Sequence, residues 1–407
     1  MAVPQWKFIL VNSKDLSEIG ELHQARDKSL NLALNTPGSA SFTYSFEGNL
    51  AADIQPISTG VMAYRKGSTD SYKLVWSGYI NEIAEDVTNA TMTVSAVGWF
   101  ERLNKRIARQ DILYRSQYDK DIIIGSSLST PSGGIASGIM QIANKTVTAS
   151  GYTIASGTIP VVSGSNPYTP TWLDAGTYYD GMRSPIATAS GPAKQDISIE
   201  QDSSFGEAIM TLINQENGCD IEVDPANRQL NVYGKKGSVK SDVWFGFNWG
   251  PENIASFSNQ ISTADIANYL VGRATGITAQ VVYNKYSYSV ENYGIFEDSL
   301  NINLNSTSDA AQKLAYYTAA EYFFRSGPEF SYSDSPFSTY SITPYPYTIG
   351  SSVPEPFEAY NIGDIVKFRA VREPRVDVEG SFRVFGMSVS ISNDGNESIG
   401  DLRMYAS

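Results

Sequence analysis

The chain has 407 residues, 42% of them hydrophobic, which suffices for two or three domains with real cores and excludes general disorder. A net charge of -13 and a pI near 4.7 argue against a nucleic-acid binder, because phosphate binding is driven by clustered Lys and Arg and only 30 are spread through this chain. A single cysteine, Cys219, and a single histidine, His23, exclude an intrachain disulfide and a Cys/His zinc site built from one chain.

The N-terminus has only the short apolar run Phe8 to Val11, with neither a charged start nor a small-residue cleavage site, so it reads as a first strand and not a secretory signal. No segment approaches the roughly 20 apolar residues that span a bilayer. The expectation is a soluble chain made in the cytoplasm, in which Asn89-Ala90-Thr91 and Asn305-Ser306-Thr307 are chance sequons. Leu30, Leu32 and Leu34 fall two apart, and Ala40, Phe42, Tyr44 and Phe46 repeat that period. Between them Asn35-Thr36-Pro37-Gly38 places a φ-locked residue before a φ-permissive one, as a type II turn demands. Tyr72 to Ile80 alternates aromatics and aliphatics, Thr91 to Val97 sets Met92, Val94 and Ala96 against polar partners, and the polar stretch Asn81 to Ala90 reads as the connection. Residues 1–106 thus form a first small barrel or sandwich, closed by the charged run Glu101 to Arg106, a solvated end or a partner-facing edge.

Further on, Ile135, Ile139 and Ile142 recur at helical spacing, and Thr146 to Ala193 is a Ser, Thr, Gly, Pro and Tyr-rich loop or insertion. Ser204-Phe205-Gly206-Glu207 fits a capping box for a helix whose stripe is Phe205, Ala208, Ile209, Leu212 and Ile213, with Asn217-Gly218 as its stop. A hairpin follows: Cys219 to Val223, the turn Asp224 to Arg228, and Leu230 to Tyr233. Ser308 or Asp309 caps another helix, about 308–326, with Ala310, Leu314, Tyr317 and Phe324 on one side and Gly327-Pro328 ending it. Phe330 to Phe357 is a Tyr/Pro-rich loop, dense enough in proline to forbid a central strand. Alternation resumes in Ile365 to Phe368 and Phe382 to Ile391, with a turn at Asn393-Asp394-Gly395-Asn396.

No constellation carries chemistry. Asp220, Glu222 and Asp224 alternate with Ile221 and Val223, which places them on the outer, ionised face of a strand and not as a glycosidase pair. Glu82, Glu85 and Asp86 read as a connecting loop. Asn393 to Glu397 lacks the ligand spacing of a calcium loop, and Gly234-Lys235-Lys236-Gly237-Ser238 lacks that of a phosphate loop; both read as turns. No Gly-x-Ser-x-Gly elbow occurs, and His23 has no candidate serine near it in sequence. The reading is a non-enzyme with no catalytic, cofactor-binding or metal-binding residue. The 25 Tyr, many in loops such as Tyr178-Tyr179, Tyr286 to Tyr288 and Tyr340 to Tyr347, suit protein contacts, but aromatics also favour strands, and the two readings stand equal.

In order, Trp6 to Leu10, Gly20-Glu21-Leu22, Leu34 to Phe42, Trp76 to Ile80, Ala96 to Phe100, Asp220 to Tyr233, Ser289 to Gly294 and Tyr360 to Val366 resemble the tail hub (baseplate hub) proteins of long-tailed bacteriophages, often labelled minor tail proteins. Two stretches, about 146–193 and 330–357, are unmatched. The resemblance implies an α+β, mainly β chain with two tail-tube-like small β-barrel or sandwich domains and helix-containing intervening segments, divided as 1–106, 107–245 and 246–407. It also implies a homotrimer at the tail tip of the virion, whose six similar units close the tail tube. Its partners would be the distal tail protein, the tape measure protein and the central tip or fibre proteins, with DNA passing through its channel without specific binding and no stable membrane insertion. An acidic, histidine-poor chain suits such a pore wall. Two alternatives come from other classes. A tail-associated peptidoglycan hydrolase is disfavoured because the chain ends at Ser407, directly after the second β-domain, and a receptor-binding tail adhesin is motivated by the Tyr-rich loops.

Overall fold

The computed structural model describes residues 3–69, 71–106, 112–115, 196–199, 203–213, 220–228, 230–233, 236–263, 266, 269–274, 281–283, 287–302 and 337–406. The architecture is mainly β. Strand β1 (Gln5–Asn12) is buried on both faces, which explains its unbroken apolar run: Phe8 and Leu10 enter the main core, while Ile9 and Val11 meet Met62 on the other side. It pairs with the short β2 (Glu18–Glu21) and along its whole length with β5 (Thr59–Lys66). The expected hairpin is present as β3 (Arg26–Ala33) and β4 (Ser39–Ser45), in register Leu30 to Ala40. Leu30, Leu34, Ala40, Phe42 and Tyr44 are buried, as their period of two requires.

Strand β6 (Lys73–Asp86) pairs with β5 and with β7 (Thr91–Gly98), on which Met92, Val94 and Ala96 point inward. It corrects the sequence reading, because Asn81 to Asp86 continue the strand and Glu82, Glu85 and Asp86 lie on it, not in a loop. A ladder extending beyond the core needs no apolar face, so polarity there did not mark a connection. The turn itself is short, and Asp86 Oδ1 accepts the Thr88 and Asn89 amides at 3.1 Å each. Helix α1 (Glu101–Asn104) follows, with Leu103 fully buried inside the charged run.

Strands β8 (Ile112–Arg115) and β9 (Asp196–Ile199) pair antiparallel, Arg115 opposite Asp196, and bring together the ends of the long segment between them. The expected helix at Ile135 to Ile142, the loop Thr146 to Ala193, the stop Asn217-Gly218 and the helix at about 308–326 lie outside the described residues. Helix α2 (Phe205–Ile213) carries the expected cap, Ser204 Oγ accepting the Glu207 amide at 3.3 Å, and buries Ala208, Ile209 and Ile213. Strands β10 (Asp220–Val223) and β11 (Leu230–Tyr233) make the expected hairpin.

The C-terminal half contributes β12 (Val239–Phe247), β13 (Ile254–Ser262), β17 (Phe337–Pro344), β18 (Ile365–Arg372), β19 (Val376–Ile391) and β20 (Glu397–Ala406). A separate small sheet holds β14 (Tyr269–Ala274), β15 (Val281–Tyr283) and β16 (Glu297–Ile302), with α3 (Ser287–Tyr293) between the last two. Strand β17 is a second correction. It lies inside the Tyr/Pro-rich stretch yet runs between β13 and β20 as an interior strand. Its only proline, Pro344, ends it, so the ladder through Tyr340 and Ile342 keeps its donors.

The sixteen-residue β19 joins the two halves. Along one edge it pairs first with β18, Ile365 to Arg383, then with β3, Ala33 to Gly386, while β20 takes the other edge. The resulting path, β13-β17-β20-β19-β3-β4-β7-β6-β5-β1-β2, is open, with β12 parallel to β18 off the path. Of the expected barrel or sandwich, the closed barrel is not formed: among the described residues no pairing closes the path, and the outer edge of β3 is occupied by β19. One apolar cluster runs from Phe8 and Leu30 to Phe368, Val389 and Met404, so both halves bury against the same core.

Candidate functional site

Among the described residues, the buried ion pairs lie where the two halves meet. At the β3–β4 corner Asn35, at φ +58° and buried, accepts the Ile221 amide at 2.8 Å and points its side-chain amide at Asp220. The Asp220 carboxylate also receives the Lys236 amide at 2.5 Å and the Arg383 guanidinium. Arg383 donates further to the carbonyls of Gly363 and Lys236 and to the Tyr405 hydroxyl. Three donors, from the β3–β4 corner, from the bend after β11 and from β19, thus meet on one carboxylate. Burial works against the Arg383 charge, but Asp220 and Tyr405 together outweigh it and hold the guanidinium above its usual pKa.

A second cluster lies on the other side. Arg65 of β5 forks onto Glu397, Nε to Oε2 at 2.6 Å and Nη2 to Oε1 at 3.1 Å, and reaches Glu355 at 2.9 Å with Nη1. Trp6 Nε1 donates to Glu397 at 2.8 Å. Glu355 accepts from the Ser68 amide at 2.8 Å and from the Tyr347 hydroxyl at 2.9 Å. Burial pushes the Glu355 carboxyl up, but the Ser68, Arg65 and Tyr347 donors together outweigh it and keep its pKa below the ordinary glutamate value. The Tyr347 hydroxyl is pushed up to about 12 by burial and by Glu355.

A cleft of about 370 Å³ lies along this seam, lined by Trp76, Pro37, Tyr233, Lys236 and Phe357 among others. Its floor is the Pro37-Gly38 corner: Trp76 Nε1 donates to Pro37 O at 3.4 Å, and the Gly98 amide to Gly38 O at 3.1 Å. Gly38 stands at φ +63°, as the turn reading required.

The structure brings together residues that the sequence kept apart. Asp220 is not on an outer face: it is 5% exposed, because the β10–β11 hairpin is covered on both sides and a two-residue period does not reveal which side is wet. Glu222 pairs with Lys236 at 2.9 Å, and Asp224 caps its own turn through the Ala226 amide at 2.7 Å. Asn393 to Asn396 is the expected hairpin turn, with Gly395 at φ +80°, but Glu397 beside it begins β20 and is buried. Lys236 to Ser238 form a bend whose Gly237 packs against Gly363, while Gly234 and Lys235 lie outside the described residues. His23 sits 3.2 Å from Glu21, and its side chain is 74% exposed. Of the aromatic loops, Tyr340 and Tyr347 are packed while Tyr345 is half exposed; Tyr178, Tyr179 and Tyr286 lie outside the described residues. Sequence reasoning missed Arg65, Glu355, Glu397 and Arg383, for which isolated charges at strand positions were the only signal.

Asp220, Glu355 and Glu397 each accept hydrogen bonds from several donors, an arrangement that ties distant strands together. Among the described residues no group of three His, Cys, Asp or Glu is placed to hold a metal. The fold is that of solved phage tail proteins. A tail protein from Neisseria meningitidis MC58 matches over 99% of this chain and 96% of its own at 12% identity, with a TM-score of 0.51. A 43 kDa tail protein of prophage MuSo2 from Shewanella oneidensis matches over 97% of each chain at 14% identity, with a TM-score of 0.50. No family model and no curated protein matches the sequence.

Proposed function

We propose that the chain is a structural tail hub protein of a bacteriophage. The observation that carries this reading is the fold shared from end to end with tail proteins, 99% of one chain on 96% of the other. The seam supports it, since the buried Arg65–Glu397 and Arg383–Asp220 pairs tie segments far apart in sequence into one unit. The finer reading is a homotrimeric ring at the tail tip, with residues 1–106 and 246–407 as the two tube-like parts and 107–245 between them. The ring closes the tube end, joins the distal tail protein to the central tip or fibre proteins, and lines the passage for the tape measure protein and DNA. The acidic charge of -13 keeps DNA from adhering to such a wall.

The mass of the purified or virion-extracted assembly tests this reading. Light scattering should return three copies per particle; a monomer or a hexamer would count against the hub. Activity in a cell-wall zymogram would replace it with the hydrolase reading.

A further inference from the structure

Two arginines gather on one indole at the seam between the first sheet and the β10–β11 turn. Arg228 is 4% exposed, and its guanidinium carbon lies 5.3 Å from the Trp99 ring centre. The guanidinium carbon of Arg102, from α1, lies 5.5 Å from the same ring and 4.7 Å from that of Tyr79. Trp99 is itself pinned, its Nε1 donating to Ser77 Oγ at 2.8 Å, which in turn donates to Pro225 O at 2.6 Å. Arg228 sends Nη1 to Ser13 O at 3.0 Å and Nη2 to Lys14 O at 3.3 Å, and its buried Nε meets no acceptor among the described residues. Every acceptor it has is neutral. The nearest acid acting on it, Asp15, is exposed and engaged by the amide and hydroxyl of Ser17.

A buried guanidinium satisfied only by carbonyls and an aromatic ring is costly, because neither supplies a full counter-charge. The cost registers in Arg228, whose pKa is lowered to about 10 by burial and by the neighbouring charge of Arg102. Arg102, half-buried, donates to Ser13 Oγ and Ile57 O at 3.2 Å each. Ile57 is 64% exposed at φ +68°, a left-handed conformation that a β-branched residue disfavours. Backbone strain of this kind is retained at binding sites more often than elsewhere.

We propose that Arg228 and Arg102, gathered on Trp99, form a receptor for an oxyanion, a carboxylate or phosphate group carried by a neighbouring subunit or free in solution. Guanidinium groups present paired donors that match such planar or tetrahedral oxyanions, and an arriving anion supplies the counter-charge that Arg228 lacks. The site does not depend on the hub reading, since a trimer with no response to anions refutes the receptor and leaves the hub standing.

The test uses the full chain, with inorganic phosphate replacing chloride at constant ionic strength while the thermal midpoint and the assembly mass are followed. A saturable rise of the midpoint at unchanged mass, at least halved in Arg228→Met and partly kept in Arg228→Lys, assigns the site to a free anion. A fall in mass as phosphate competes, with Arg228→Met folded by circular dichroism but smaller in mass, assigns it to a neighbour's carboxylate. Should Arg228→Met not fold, Arg102→Met takes its place with the same expectations. Phosphate that moves neither quantity in the wild type, or a response the Met variant reproduces in full, overturns the proposal.

Discussion

Gly38 shows how narrowly a single backbone position is specified. At φ +63° an added Cβ would stand 3.1 Å from Asn31 O and from Trp76 Nε1, so conformation and space both oppose a side chain. Gly38→Val should cost about 1–3 kcal/mol, read as a lower urea midpoint with an unchanged slope. Asp220 makes the complementary case for charge. Asp220→Asn keeps the shape but strands the buried Arg383 charge, for which a loss of about 3–5 kcal/mol is expected. Adding Arg383→Met should recover part of it in a double-mutant cycle, and strictly additive losses would show that the pair is not coupled. The Gly38 requirement was legible in the sequence, because Pro-Gly dictates its own dihedrals. The Asp220 requirement was not, because its partner lies 163 residues away.

Among the elements, those that alternate cleanly were legible: β3, β4, β7, β18 and the second half of β19 sit where periodicity placed them, and β1 where its apolar run did. The failures have physical causes. Strand β17 was obscured by prolines that flank its ladder, and the outer half of β6 by a polarity that an exposed ladder permits. The segment between β17 and β18 carries Glu355, which links it to β5 through Arg65. Because the folded-state pKa of Glu355 is lowered, its contribution is complete above the unfolded value near 4.5 and is lost as pH falls through the folded value. Unfolding midpoints measured from neutral to acid pH should therefore fall below about pH 4.5, and less steeply in Glu355→Gln. An identical acid limb in that variant would remove Glu355 from the account.

For the whole molecule, the pairing of Arg115 with Asp196 makes a specific demand on the long segment between β8 and β9. Its ends are already neighbours in an antiparallel ladder, so replacing residues 117–194 by a short Gly-Asn turn should leave the midpoint of the main sheet unchanged or slightly raised, since a shorter loop costs less entropy to close. A large loss would mean that this segment packs against the sheet. The sequence alone located the regularly alternating strands and the turns at Pro37-Gly38, Asp224 to Arg228 and Asn393 to Asn396, because period and turn chemistry act over a few neighbouring residues. Tertiary structure decided that β19 occupies the edge of β3 and keeps the sheet open, that Asp220 and Glu397 are buried, and that Arg102 and Arg228 meet on Trp99. Strand edges and buried charges are settled by partners hundreds of residues apart, and local pattern holds no record of them.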